Sequence, residues 1–352
     1  MNNPVYLDRN ENHYGPSPAC AEVLKTIRGG DLATYPREYT RGVKSRLSER
    51  LARDLSLPES QILLSEGSED MLKQVVHCYL GVGEVMLCPQ QSWWYYQAVA
   101  SEVGGVTMTF PLKERGNQFH YDVQRIEEAY WKHQPKVLLL ASPNNPTGNS
   151  LSVADLKRIL GFARNSIVVL DEAYWGFDGV LTQSNLQMVR EHQNLIIIRS
   201  FSKLFALAGA RIAFAAVGHD VTSLTKFAAR YLGYNRISEL LALAALDSME
   251  YYAGVSARIR AERQLFYDFF SKRDDFTAFI SDANFVLVRI SSEDRERLKK
   301  HLESDGIFIK FFSADHTGLS DYVRITVGTP EQNKRLLNSI ALFLKSQAHV
   351  SP

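Results

Sequence analysis

A chain of 352 residues, 45% apolar and 22% charged, is that of an ordinary globular protein with room for two domains or one large α/β unit. Forty basic against thirty-nine acidic residues leave a net charge of +1 with no long single-sign block, which argues against nucleic acid or a membrane as partner. Cys20, Cys78 and Cys88 lack Cys-x-x-Cys spacing, so no disulfide framework or zinc site is expected, and without a basic-apolar leader or a membrane-length apolar run the expected setting is cytoplasmic.

Residues 1–35 are polar and rich in Pro, Asn and Gly, and read as an extended N-terminal arm with a short helix near 19–27. Apolar residues at Val43, Leu47, Leu51 and Leu55 give a helical period over 42–55. The chain then alternates. Strands are predicted at 62–64, 85–88, Val106–Phe110, 136–141, 167–170, 195–198 and 211–216, with helices over 69–80 and 94–103 among the intervening stretches. The unbroken apolar runs indicate a mostly parallel sheet covered on both faces. A long helical region, 236–270, leads to strands at 284–290, 307–312 and 322–327 with helices at Ser292–Ser304 and 330–344. We read an α/β large domain over 36–246 and a smaller α+β domain over 247–352.

Four of these strands end in polar sequence: Ser65-Glu66-Gly67-Ser68-Glu69-Asp70, Ser142-Pro143-Asn144-Asn145-Pro146-Thr147-Gly148, Asp171-Glu172-Ala173-Tyr174 and Ser200-Phe201-Ser202-Lys203. Ligands of open α/β sheets bind outside the carboxyl ends of the strands, so these clusters should converge. Alone, the last is an ordinary Ser/Lys loop and Asp171 an ordinary helix cap. Together they are suited to a cofactor. Gly67-Ser68-Glu69 opens a helix whose free N–H groups can bind phosphate, with Ser200, Ser202 and Arg211 as further partners. Asp171 can keep a pyridine nitrogen protonated, Tyr174 and Asn145 can donate to a ring oxygen, and Lys203 can form a Schiff base.

With these motifs, the chain resembles fold-type-I pyridoxal-phosphate enzymes, and among them aminotransferases similar to histidinol-phosphate aminotransferase. The resemblance covers nearly the whole length. It rests on 7–16 (with Asn10-Glu11-Asn12 and Tyr14-Gly15), Tyr35-Pro36, Gly67-Ser68-Glu69, 142–148, 171–174, 200–203, Arg211 and Val323-Arg324-Ile325-Thr326-Val327-Gly328-Thr329. It implies a transaminase of histidine biosynthesis with pyridoxal 5'-phosphate bound to a large domain of seven-stranded type. By the same resemblance Lys203 carries the cofactor and shuttles the substrate proton, and Asp171 pairs with the ring nitrogen. Asn145 and Tyr174 bind the ring oxygen, and Ser68, Glu69, Ser200, Ser202 and Arg211 hold the phosphate. Arg324 and Lys310 face the substrate, Tyr14 lies in an arm folded over it, and Tyr35 reaches into the partner site of a homodimer. The aromatic stacked on the cofactor is Trp93, three residues before Tyr96, with Trp94 as the alternative. The expected substrates are a small-molecule amino donor and a keto acid. Lys310 stands where this family usually has an arginine, which leaves another amino-acid specificity open. Decarboxylases of O-phosphorylated serine or threonine share the same Lys, Asp, Asn and Arg set.

Overall fold

The structure, a computed structural model, describes residues 3–36, 45–181, 185–230, 232–273, 275–313 and 317–348. Its strands in chain order are β1 Val5–Leu7, β2 Ile62–Ser65, β3 Val85–Pro89, β4 Val106–Phe110, β5 Lys113–Arg115, β6 Gln118–His120, β7 Val137–Ala141, β8 Ile167–Asp171, β9 Leu195–Ser200, β10 Ala213–Val217, β11 Phe276–Phe279, β12 Phe285–Ile290, β13 Ile307–Phe311 and β14 Tyr322–Thr326.

A seven-stranded sheet runs in the order β2-β10-β9-β8-β7-β3-β4. The pairs β3–β4, β3–β7, β7–β8 and β8–β9 are parallel, while β10 is antiparallel to both of its neighbours. Side chains alternate across a strand, so an apolar run with no polar position must be buried on both faces. That is what happens here. Leu138, Leu140, Val168, Leu170 and Ile197 pack into one apolar core, and Val137, Leu139, Val169, Ile196 and Ile198 into another.

The reversed strand matters for the site. Ala213, the first residue of β10, is level with Ser200 at the end of β9 and Ser65 at the end of β2. Arg211 therefore precedes its strand at the edge where the neighbouring strands finish. The sequence suggests a strand from 211, but Arg211 adopts a left-handed conformation (φ 50°) at the end of a short 3-10 turn, Ala208–Ala210, so pairing starts later.

A second sheet has the order β1-β13-β14-β12-β11, and β5 and β6 form a hairpin. The N-terminal arm supplies β1, which pairs in parallel with β13. The helical region 236–270 is two helices, Arg236–Leu246 and Met249–Phe270, and Asp247 between them pairs with Arg50 at 2.5 Å. Of the helix predicted over 42–55, Arg46–Leu55 is observed, capped by Ser45, which accepts from the Ser48 N–H at 3.0 Å; residues 42–44 lie outside the described residues. No described helix is long and apolar enough to cross a membrane.

Candidate active site

The polar strand ends line one cavity of about 680 Å³, closed on its far side by residues of the second sheet and of the arm. Ser68, Glu69, Trp93, Asn145, Asp171, Tyr174, Ser200, Ser202, Lys203, Arg211, Lys310 and Arg324 all border it. Register explains the convergence: Asp171 ends β8 opposite Ala141, the last residue of β7, and opposite Ile198 of β9.

Asp171 is buried and held in one orientation. Its Oδ2 accepts from the Tyr96 hydroxyl at 2.8 Å, and its Oδ1 accepts from the Ala173 N–H at 2.9 Å. Burial pushes its carboxyl above the ordinary value, while the Tyr96 hydroxyl and the Ala173 N–H pull it back. A buried carboxylate held this way is suited to pair with a cationic nitrogen of a ligand in the cavity.

Lys203 donates from Nζ to the Arg9 carbonyl at 3.1 Å, and Nζ lies 5.6 Å from the Tyr174 ring centroid. The Tyr174 ring packs edge-on to Phe285 (5.1 Å), and its hydroxyl accepts from Asn10 Nδ2 at 2.8 Å.

At one end of the cavity the helix Ser68–Tyr79 starts at Gly67, which has φ 90° and no side chain to cap the first N–H groups. The Arg211 guanidinium lies over Gly67: a Cβ there would sit 2.5 Å from Nη2. Ser200 Oγ accepts from the Ser202 N–H at 3.0 Å, which folds the loop after β9 toward the same corner. Uncapped amides, two hydroxyls and a guanidinium make an anion cradle.

At the other end Arg324 is buried. Nη1 donates to Asn145 Oδ1 at 2.5 Å and Nη2 to the Asp8 carbonyl at 2.6 Å, while Nε has no hydrogen-bond partner among the described residues. Lys310 is its register neighbour across β13 and β14, and is exposed. Trp93 is half-buried against Tyr95 (4.8 Å) and edge-on to Tyr96 (5.7 Å), whereas Trp94, also at the cavity, is 62% exposed.

Two sequence-predicted residues are elsewhere in the chain. Tyr14 is half-buried outside the cavity lining, with Arg258 5.9 Å from its ring centroid and its hydroxyl buried without a hydrogen-bond partner among the described residues. Tyr35 is 66% exposed and borders an outer depression with Arg46, Arg236 and Glu239. Conversely, sequence reasoning gave no role to Tyr96 as the donor to Asp171, to Asn10 as the donor to Tyr174, or to the Asp8 and Arg9 carbonyls as acceptors. Tyr96 sits one helical turn after the Trp93 motif, a spacing that could have flagged it; backbone carbonyls carry no signal in residue type.

Residues 2–340 match the profile of the family described as aminotransferase class I and II. Among curated proteins the chain is similar to a histidinol-phosphate aminotransferase of Roseiflexus castenholzii, 34% identical over 95% of this chain and 88% of the relative. It is also similar to histidinol-phosphate aminotransferase 1 of Carboxydothermus hydrogenoformans, 32% identical over 97% and 93% of the two chains. Among solved structures, histidinol-phosphate aminotransferase of Sinorhizobium meliloti in complex with pyridoxal-5'-phosphate superposes with a TM-score of 0.84 at 24% identity, covering 99% of this chain and 92% of that one.

Proposed function

The chain belongs to the aminotransferase class I and II family, and from that premise we propose that it is a pyridoxal-phosphate-dependent aminotransferase of the histidinol-phosphate type. It would move an amino group between a phosphorylated or aromatic amine or amino acid and 2-oxoglutarate. The observation that carries the reading is the single cavity in which Lys203, Asp171, Tyr174, Asn145 and Arg324 meet the anion cradle of Gly67 and Arg211. The curated relatives, at 30% identity or more over nearly the whole chain, support the substrate class.

The residues present fit the cofactor. Its phosphate matches the cradle of Ser68 and Glu69 amides, Ser200, Ser202 and Arg211, and its ring nitrogen the buried Asp171 carboxylate. Trp93, wedged against Tyr95 and Tyr96, offers a face for the ring. When bound, the cofactor supplies an electron sink for the substrate carbon and carries the amino group between half-reactions.

The chain supplies the rest. Lys203 Nζ would be the nucleophile that anchors the cofactor and the base that takes and returns the proton at the substrate carbon. Asp171 holds the ring-nitrogen proton, kept in orientation by Tyr96. Asn145 and Tyr174 would donate to the ring oxygen, and Arg324 fixes the Asn145 amide so that its N–H₂ faces away from the guanidinium. Arg324 meets the carboxylate or phosphate of the substrate as a fork; Lys310 adds a point charge beside it. Two copies assemble in this reading, with the exposed Tyr35 reaching the partner's cavity. Three free thiols are in keeping with a reducing, cytoplasmic setting.

Incubating the cofactor-loaded protein with histidinol phosphate and 2-oxoglutarate tests the proposal. Glutamate should form in step with loss of the donor. Release of carbon dioxide from phosphoserine or phosphothreonine, with no glutamate from any donor, would overturn it in favour of a decarboxylase.

A further inference from the structure

Asn10 uses every polar atom it has. It is 1% exposed and left-handed (φ 56°), a conformation that asparagine tolerates better than other non-glycine residues. Its N–H donates to Thr326 Oγ1 at 2.9 Å, and its carbonyl accepts from Asn284 Nδ2 at 3.0 Å. Thr326 Oγ1 already accepts from that N–H, so its own proton is free to go to Asn10 Oδ1, 3.3 Å away. With the amide turned so that this buried hydroxyl proton has an acceptor, Oδ1 faces Thr326 and Nδ2 faces Tyr174 Oη at 2.8 Å.

We propose that Asn10 is a positioning residue that fixes the hydrogen-bond polarity of Tyr174, by occupying the phenol oxygen as a donor and so directing the phenol proton into the cavity. An amide N–H cannot accept, and among the described residues no other hydrogen-bond partner of that oxygen is found. The proton is then free for the one acceptor expected beside it, the cofactor ring oxygen. Thr326 lies on β14 two residues from Arg324, so the strand that binds substrate also holds Asn10. The charged groups facing the pair are Lys203, 5.6 Å from the Tyr174 ring, and Arg324.

The inference rests on the cofactor reading, and the experiment keeps the two apart. The probe is the pH midpoint of the visible absorption band of the protein loaded with pyridoxal phosphate, read in parent, Asn10→Asp, Tyr174→Phe and the double variant. A hydrogen bond that stabilises the anionic ring oxygen lowers this midpoint, so Tyr174→Phe should raise it by about one to two pH units. Asp at position 10 can only accept, and should take the phenol proton for itself. Asn10→Asp should therefore raise the midpoint about as far, and should add about 0.3 unit or less in the Tyr174→Phe background. An unchanged midpoint in Asn10→Asp, or an equal shift with and without the Tyr174 hydroxyl, overturns the role. If Asn10→Asp does not fold, Asn10→Gly accepts the left-handed backbone and reads the same cycle, with a raised midpoint only where Tyr174 is present. A parent that gains no visible band overturns the cofactor reading itself, before any variant is compared.

Discussion

Arg324 Nη1 donates to Asn145 Oδ1 at 2.5 Å, which joins β14 of the five-stranded sheet to the loop after β7 of the seven-stranded sheet across the cavity. In the proposed function this one guanidinium orients a cofactor-facing amide and also faces the substrate. Arg324→Lys keeps the charge and loses the fork. It should lower kcat/KM for a donor bearing an anionic group by about 10- to 100-fold, the worth of a charge-assisted hydrogen bond. In Asn145→Ala the same change should cost less, because the shared contact is already gone. Steady-state kinetics of the four proteins checks this.

Cofactor affinity should fall at low pH, and Tyr96 should set where. Burial pushes the Asp171 carboxyl up; the Tyr96 hydroxyl, the Ala173 N–H and Lys203 stabilise its charged form, and Glu172 opposes it. The ionised form is the one that pairs with a ring-nitrogen cation, so affinity is lost as pH falls through this carboxyl's titration. Tyr96→Phe removes a stabiliser of the charge, and should move the loss upward by about one pH unit. Equilibrium binding of pyridoxal phosphate to the two apoproteins across pH measures it; superimposable profiles would contradict it.

Beneath the site, Arg199 Nε and Glu172 Oε2 pair at 2.8 Å with both side chains buried, and the guanidinium lies 4.0 Å from the Trp175 ring centroid. Removing one member strands a buried charge. Arg199→Met should destabilise the protein by about 3–5 kcal/mol, and replacing both residues by apolar ones should cost clearly less. Chemical denaturation of the single and double variants gives the comparison.

Lys310 offers a point charge where an arginine would offer a fork that meets two phosphate oxygens at once. Lys310→Arg should improve kcat/KM for histidinol phosphate, and Lys310→Ala should lower it, while an unphosphorylated aromatic donor responds to neither by more than about two-fold. Paired kinetics on the two donors decides it.

The large sheet was legible because its central strands are unbroken apolar runs, which only burial on two faces accommodates. The convergence of the cavity-lining residues was legible for a related reason: Ser68, Asn145, Asp171 and Ser200 come at or just after the ends of such runs, whereas Arg211 reaches the same edge by preceding a reversed strand. What escaped was set by pairing across the chain. Val5–Leu7 is too short to carry a strand pattern, and exists as β1 because β13 accepts it. Asn10 reads as one polar residue in a polar arm until Thr326 and Tyr174 come within reach. Tyr14 and Tyr35 carry family motifs, yet within one chain neither borders the cavity, since sequence spacing does not say which surface a segment covers.

In the proposed function everything depends on Lys203 anchoring a pyridoxal cofactor in this cavity. Borohydride reduction of the protein loaded with pyridoxal phosphate, followed by peptide mass spectrometry, tests it most directly. Lys203 should carry a pyridoxyl group in near-stoichiometric yield, abolished in Lys203→Ala along with the visible band. A label spread over surface lysines such as Lys25 or Lys132, with Lys203 unmodified, would contradict it.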